Sequence, residues 1–174
     1  MTKQEIKSRL LLNHTIFADL IVSLNDNDFL HSANGKWTAG QQLDHIVRSV
    51  SALKYGLILP KFILKQIIGV ANRPSKDYEA LVAKYKSRLE AGGKAVGRFV
   101  PKPVIPANKE KIKARLLKDV NRLCKRIDSY DEKQLDLYIL PHPLLGKVTV
   151  REMMYFTIYH VKHHQEIALR NLGR

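Results

Sequence analysis

The chain has a single cysteine, Cys124, so it cannot form an internal disulfide and a thiolate metal cluster is excluded. Any metal site must therefore use nitrogen and oxygen ligands. No run approaches the roughly 18 apolar residues of a membrane span. Met1-Thr2-Lys3-Gln4-Glu5 leads directly into an amphipathic pattern and has no apolar signal-peptide core. The two absences together predict a cytoplasmic protein with no membrane partner. Aromatic residues are 7% of the chain. Few of them interleave with the basic residues and no nucleic-acid module signature appears, which argues against nucleic acid as the partner. Repeats and low-complexity tracts are absent, and strand-like alternation is scarce.

What is present is helical periodicity, in a chain of 174 residues with 45% hydrophobic content. That length suits a single domain over residues 1–174 with a substantial core. The net charge of +14 is localised: Lys54 to Arg126 holds 19 Lys and Arg against 5 Asp and Glu, and the remainder has 11 of each. The plain interpretation is a solvated surface. The sharper one is attraction of an anionic partner, and the scarcity of interleaved aromatics points to a small anionic substrate.

Four long helices are expected. The first spans roughly residues 2–24, with Ile6, Leu10, His14, Phe17, Ile21 and Leu24 as its apolar stripe. The second begins at a capping box, Thr38 and Gln41, and runs to about Tyr55. An apolar stretch from Leu57 to Val70 is broken by Pro60 and reads as a kinked or separate helix. The third runs from Ala107 to Ser129, with Ile112, Leu116, Val120, Leu123 and Ile127 buried. Leu135 to Leu140 leads to a turn at Pro141-His142-Pro143-Leu144-Leu145-Gly146, after which Gly146-Lys147-Val148 enters the last helix. A second capping box, Thr149 and Glu152, starts that helix, which ends near Asn171. Between the second and third helices lies a long crossover. Residues 91–106 are too rich in Gly and Pro for a regular helix, and form either a substrate-side loop or a plain connection. The whole reads as an all-α four-helix bundle with a long crossover between its second and third main helices, a layout that builds metal sites from side chains on facing helices.

The last helix presents the inward stripe Met153, Thr157, His160, His164, Ile167 and Asn171. His160 and His164 lie one turn apart on one face, a spacing at which two imidazoles hold one transition metal. Burying two adjacent imidazoles is costly unless both are paired or bound, and a metal resolves that cost. A third ligand must come from elsewhere. His45 is the leading candidate, yet the pattern around it reads two ways. Leu43, Ile46, Val50 and Leu53 cluster away from it, and Thr38, Gln42, Ser49 and Ala52 share its side. It is either a surface histidine or part of a second face lining a polar cavity. His14 lies within the first apolar stripe and is a weaker candidate, as partner to a ligand or as a fourth one. His31 and His142 fall in turns.

Lys36-Trp37-Thr38-Ala39-Gly40-Gln41-Gln42-Leu43-Asp44-His45-Ile46 resembles the segment after the first helix of the DinB-like superfamily. Leu145 to Glu152, followed by His160-Val161-Lys162-His163-His164-Gln165-Glu166-Ile167, resembles that family's final helix. Residues 90–106 match nothing in it. The resemblance implies a bundle, often a homodimer, in which His45, His160 and His164 hold a divalent transition metal, zinc or nickel. It also implies the reaction classes of the family, which include thiol S-transferases using bacillithiol or mycothiol, maleylpyruvate isomerases and metal-dependent hydrolases. The expectation is a metal-dependent enzyme that activates a thiol or water. No convincing acid/base partner is visible in the sequence, which favours thiol S-transfer with a low-molecular-weight thiol. The alternatives are a metal-dependent hydrolase and a non-catalytic metal-binding bundle.

Overall fold

The computed structural model describes residues 1–174 and is mostly helical, with one small two-stranded sheet. The long helices are α1 (Lys3–Ser23), α3 (Ala39–Gly56), α6 (Lys109–Asp128) and α8 (Val150–Asn171). The shorter ones are α2 (Asp26–Leu30), α4 (Lys61–Ile67), α5 (Tyr78–Glu90) and α7 (Glu132–Leu137). None is long and apolar enough to cross a membrane.

Both expected capping boxes form, at Thr38 with Gln41 and at Thr149 with Glu152, and a third, Thr2 with Glu5, opens α1. Each satisfies backbone N–H groups that a helix start leaves free. The expected stripe of α1 is buried in full, from Ile6 to Leu24. On α6, Leu116, Val120, Leu123 and Ile127 are buried, and Ile112 packs at the edge of the core. Helix α8 is the central element: all nine residues from Val150 to Ile158 are buried. A helix apolar on one side only would not be covered in this way. Here α1, α3, α5 and α7 all pack on α8.

Ion pairs fix two of the joints. Lys54 on α3 donates to buried Asp119 on α6 at 2.6 Å, and Ser51 donates to the same carboxylate at 2.6 Å. Arg151 at the start of α8 gathers Asp136, Glu132 and the carbonyl of Met1, tying α7 and the N-terminus together.

The structure settles one open alternative of the sequence pattern and departs from it in one place. The Leu57–Val70 stretch ends α3 and restarts after Pro60 as the separate helix α4, because proline offers no N–H to continue the ladder. The stretch before α8 is not a simple turn. Residues 132–137 form α7, and β1 (Ile139–His142) pairs antiparallel with β2 (Gly146–Thr149). Four-residue strands carry too little alternation to register as a period. Leu140 and Val148 are buried as a cross-strand pair, and Gly146 supplies the positive φ of the turn, +75°.

Candidate metal centre

His45, His160 and His164 meet between α3 and α8. Nε2 of His45 lies 3.2 Å from Nε2 of His160, and Nε2 of His164 lies 3.0 Å from that same atom. All three rings are buried, at 5%, 5% and 6% exposure. His45 is therefore not a surface residue. Its polar face lines a cavity, and the apolar set Leu43, Ile46 and Val50 is buried as well. The pattern around it left both readings open, and α3 is in fact buried on two sides.

The Nδ1 atoms explain the orientation of two rings. His45 Nδ1 donates to the carbonyl of Phe99 at 2.6 Å. His164 Nδ1 donates to Oε1 of Gln42, whose own amide nitrogen donates to the carbonyl of Trp37 at 3.5 Å. With Nδ1–H committed, Nε2 of each ring is a lone pair aimed at His160. Only a proton on His160, or a cation between all three nitrogens, makes that convergence favourable. A metal about 2.0–2.1 Å from each nitrogen in tetrahedral geometry would space them about 3.3 Å apart. The observed 3.0 and 3.2 Å are close to that spacing. The three imidazoles thus fit a divalent transition metal in donor type and closeness, and His45 and His164 also in tautomer.

Electrostatics agree. Burial, reinforced by the neighbouring imidazoles, holds His160 and His164 well below the ordinary histidine pKa. His45 is also lowered by burial, partly offset by its bond to the Phe99 carbonyl. All three are neutral at pH 7, the form that binds metal.

The rings open onto a cavity of about 730 Å³. Its buried end is made by His14, Ile46, Val50, Met153 and Thr157. At its outer side stand four exposed cations, Lys36, Lys94, Arg98 and Arg170, and no Asp or Glu lines it. Residues 94–96 and 98–100 of the crossover form part of its wall. Three bonds fasten that segment to α3: His45 to the Phe99 carbonyl, Arg48 to the Arg98 carbonyl at 3.3 Å, and the Lys102 N–H to Asp44 at 2.8 Å. The Gly- and Pro-rich stretch is thus both a crossover and a cavity wall.

The remaining histidines stay outside the triad. His142 sits in the hairpin turn, where its Nδ1 accepts from the N–H groups of Leu144 and Leu145, and its ring also borders the cavity. His163 lines the cavity beside Tyr85 and Tyr159. His31 is exposed at the end of α2, and Glu166 is exposed on α8. Sequence reasoning missed two positioning groups, the Gln42 amide and the Phe99 carbonyl. Gln42 left a signal, since it lies three residues before His45 on the same face. A backbone carbonyl leaves none.

No curated protein and no solved structure matches this chain at a significant level. The family model of the DinB superfamily matches residues 9–168. That span takes in all three histidines of the triad and the whole crossover between α3 and α6, and the chain belongs to the DinB superfamily.

Proposed function

We propose that this protein is a metal-dependent enzyme whose four long helices form a DinB-type bundle, with His45, His160 and His164 holding a zinc or nickel ion. When bound, such an ion supplies a Lewis acid that lowers the pKa of a thiol or water. The reading rests on one observation above the rest: the three convergent Nε2 atoms lie in the wall of a large cavity, so one side of the site faces space for a substrate. A purely structural site is closed by its own ligands.

Within the enzyme reading, thiol S-transfer is favoured over hydrolysis. The cavity wall has no carboxylate to act as a general base toward water. A thiol, whose ordinary pKa is far lower than that of water, needs no such base once its anion is stabilised. Lys36, Lys94, Arg98 and Arg170 suit an anionic substrate or an anionic low-molecular-weight thiol. Gln42 and the Phe99 carbonyl hold the His164 and His45 imidazoles in one tautomer, and Trp37, with its ring 5.0 Å from that of His45, covers one side. Catalysis in a cytoplasmic homodimer completes the reading, and sedimentation equilibrium measures that assembly.

The test begins with metal content by plasma mass spectrometry, on protein purified without a histidine tag. Near-stoichiometric metal in wild type, lost in His160→Ala and in His45→Ala, is expected. The loaded protein is then incubated with bacillithiol or mycothiol and monochlorobimane, and conjugate formation is followed by fluorescence. Metal without any conjugation would leave hydrolysis as the reading to pursue. Absence of metal after reconstitution would sink the enzyme reading altogether.

A further inference from the structure

The tight turn that joins β1 to β2 holds a donor that the metal site does not use. Leu140 and His142 alternate onto one face of β1, and both line the cavity. Nδ1 of His142 lies 3.1 Å from the backbone nitrogens of both Leu144 and Leu145. A backbone N–H only donates, so Nδ1 is a lone pair and the neutral ring carries its proton on Nε2. The ring meets Phe156 and Tyr85 edge-on, with centroids 4.2 and 6.4 Å away, and both of those rings also line the cavity. Lys84 on α5 donates to the Leu145 carbonyl at 3.0 Å and fixes the turn in place. The one unpaired side-chain nitrogen or oxygen that is sealed from solvent is Nε2 of His14. Nε2 of His142 has no partner in the protein and is not sealed, so it is open to an incoming molecule.

The turn alone does not call for a histidine. An Asn or Asp side chain accepts from the N–H two residues on, and is the usual residue for that task. What the imidazole adds is a second edge, opposite the turn, with an N–H on it. Burial, reinforced by the Lys84 ammonium, lowers the ring's pKa to about 4, so it stays a neutral donor at physiological pH. Phe156 stands between this ring and the triad, stacked 4.6 Å from the ring of His160. The donor and the convergent triad nitrogens thus border one stretch of cavity wall. We propose that His142 Nε2–H donates a hydrogen bond to a carbonyl oxygen of the molecule the cavity takes. The four cations at the outer side take that molecule's charge, which leaves an uncharged acceptor for the uncharged donor. The ligand class is therefore an anion with a largely apolar body and a carbonyl group at its other end. This rests on the cavity being the substrate site, but not on a metal being bound.

The experiment uses the full chain carrying 15N-histidine, titrated at pH 7.5 with para-acetylbenzoate and with para-ethylbenzoate. These anions have nearly one size and differ by a carbonyl oxygen. The free protein should show His142 as its Nε2–H tautomer. Binding of para-acetylbenzoate is expected to be about five-fold tighter, the increment of one net hydrogen bond, and to move the His142 Nε2–H proton downfield. Para-ethylbenzoate should leave that proton in place. His142→Asn keeps an acceptor for the turn but places no donor on the far edge. It should melt like wild type, keep its metal and bind both compounds alike. If that variant unfolds, the proton shift in wild type decides. An Nδ1–H tautomer, an unmoved proton, an equal shift with both compounds, a preference surviving in His142→Asn, or no binding of either compound overturns the proposal. Failure of wild type to load metal would overturn the proposed function and leave this inference standing.

Discussion

The proposed metal site depends on single atoms. Gln42 touches no metal position, but its Oε1 fixes the proton of His164 on Nδ1. Gln42→Leu preserves the helix and the size of the side chain while releasing that tautomer. Metal affinity is expected to fall by about 10–100-fold, the usual cost of losing a group that orients a ligand, and competition with a chromogenic chelator measures it. His14 governs a different property. Its pKa is about 4 in the fold, against an ordinary value of 6.5 once unfolded. The unfolded chain therefore takes up the proton first as pH drops. Stability from a neutral His14 is complete above pH 6.5 and is lost progressively as pH falls toward 4, by up to about 3 kcal/mol. Urea unfolding at pH 7.5, 6 and 5 should show a shallower fall in His14→Phe than in wild type.

At the scale of elements, close packing and stapling place the site. Helix α3 begins against α2, and Gly40 makes the approach possible: a Cβ there would sit 2.7 Å from the Phe29 ring and 3.2 Å from Val104. Gly40→Ala should cost about 1–3 kcal/mol through overpacking, visible as a lowered midpoint in urea. Since His45 lies on the same helix, metal affinity should weaken with it. The crossover is held by Asp44, His45 and Arg48, consecutive contributors along α3. Asp44 is thus a positioning residue for the cavity wall and not an acid or base, a role its place beside His45 in the sequence did not disclose. Helix starts were legible because a capping box is local chemistry. The hairpin was not, because its two strands are stabilised by pairing with each other and by the cover of α8, and neither leaves a periodic trace.

For the whole molecule, a ligand that binds only the folded state stabilises it by mass action. Zinc at a thousand-fold excess over its dissociation constant would add about 4 kcal/mol. Removing it with a chelator should lower the melting temperature of wild type and leave that of His160→Ala unchanged, as differential scanning calorimetry would show. The charge acts over a longer range. The excess of +14 lies between Lys54 and Arg126, and two of the cavity cations, Lys94 and Arg98, come from that segment. Attraction of an anionic substrate should therefore weaken as ionic strength rises, with KM increasing and kcat little changed. Arg98→Ala should flatten that dependence.

The sequence by itself determined the long helices, their starts and the pairing of His160 with His164, because capping, apolar stripes and one-turn spacing act within a few residues of one chain segment. It also placed the chain near the DinB superfamily through the segments around His45 and His164, and the match over residues 9–168 shows that membership. The tertiary structure alone decided that His45 faces inward and that Gln42 and the Phe99 carbonyl set the tautomers of His164 and His45. Each of those facts concerns residues from different helices or loops meeting at about 3 Å, and no spacing along the chain encodes which faces will meet when the helices pack.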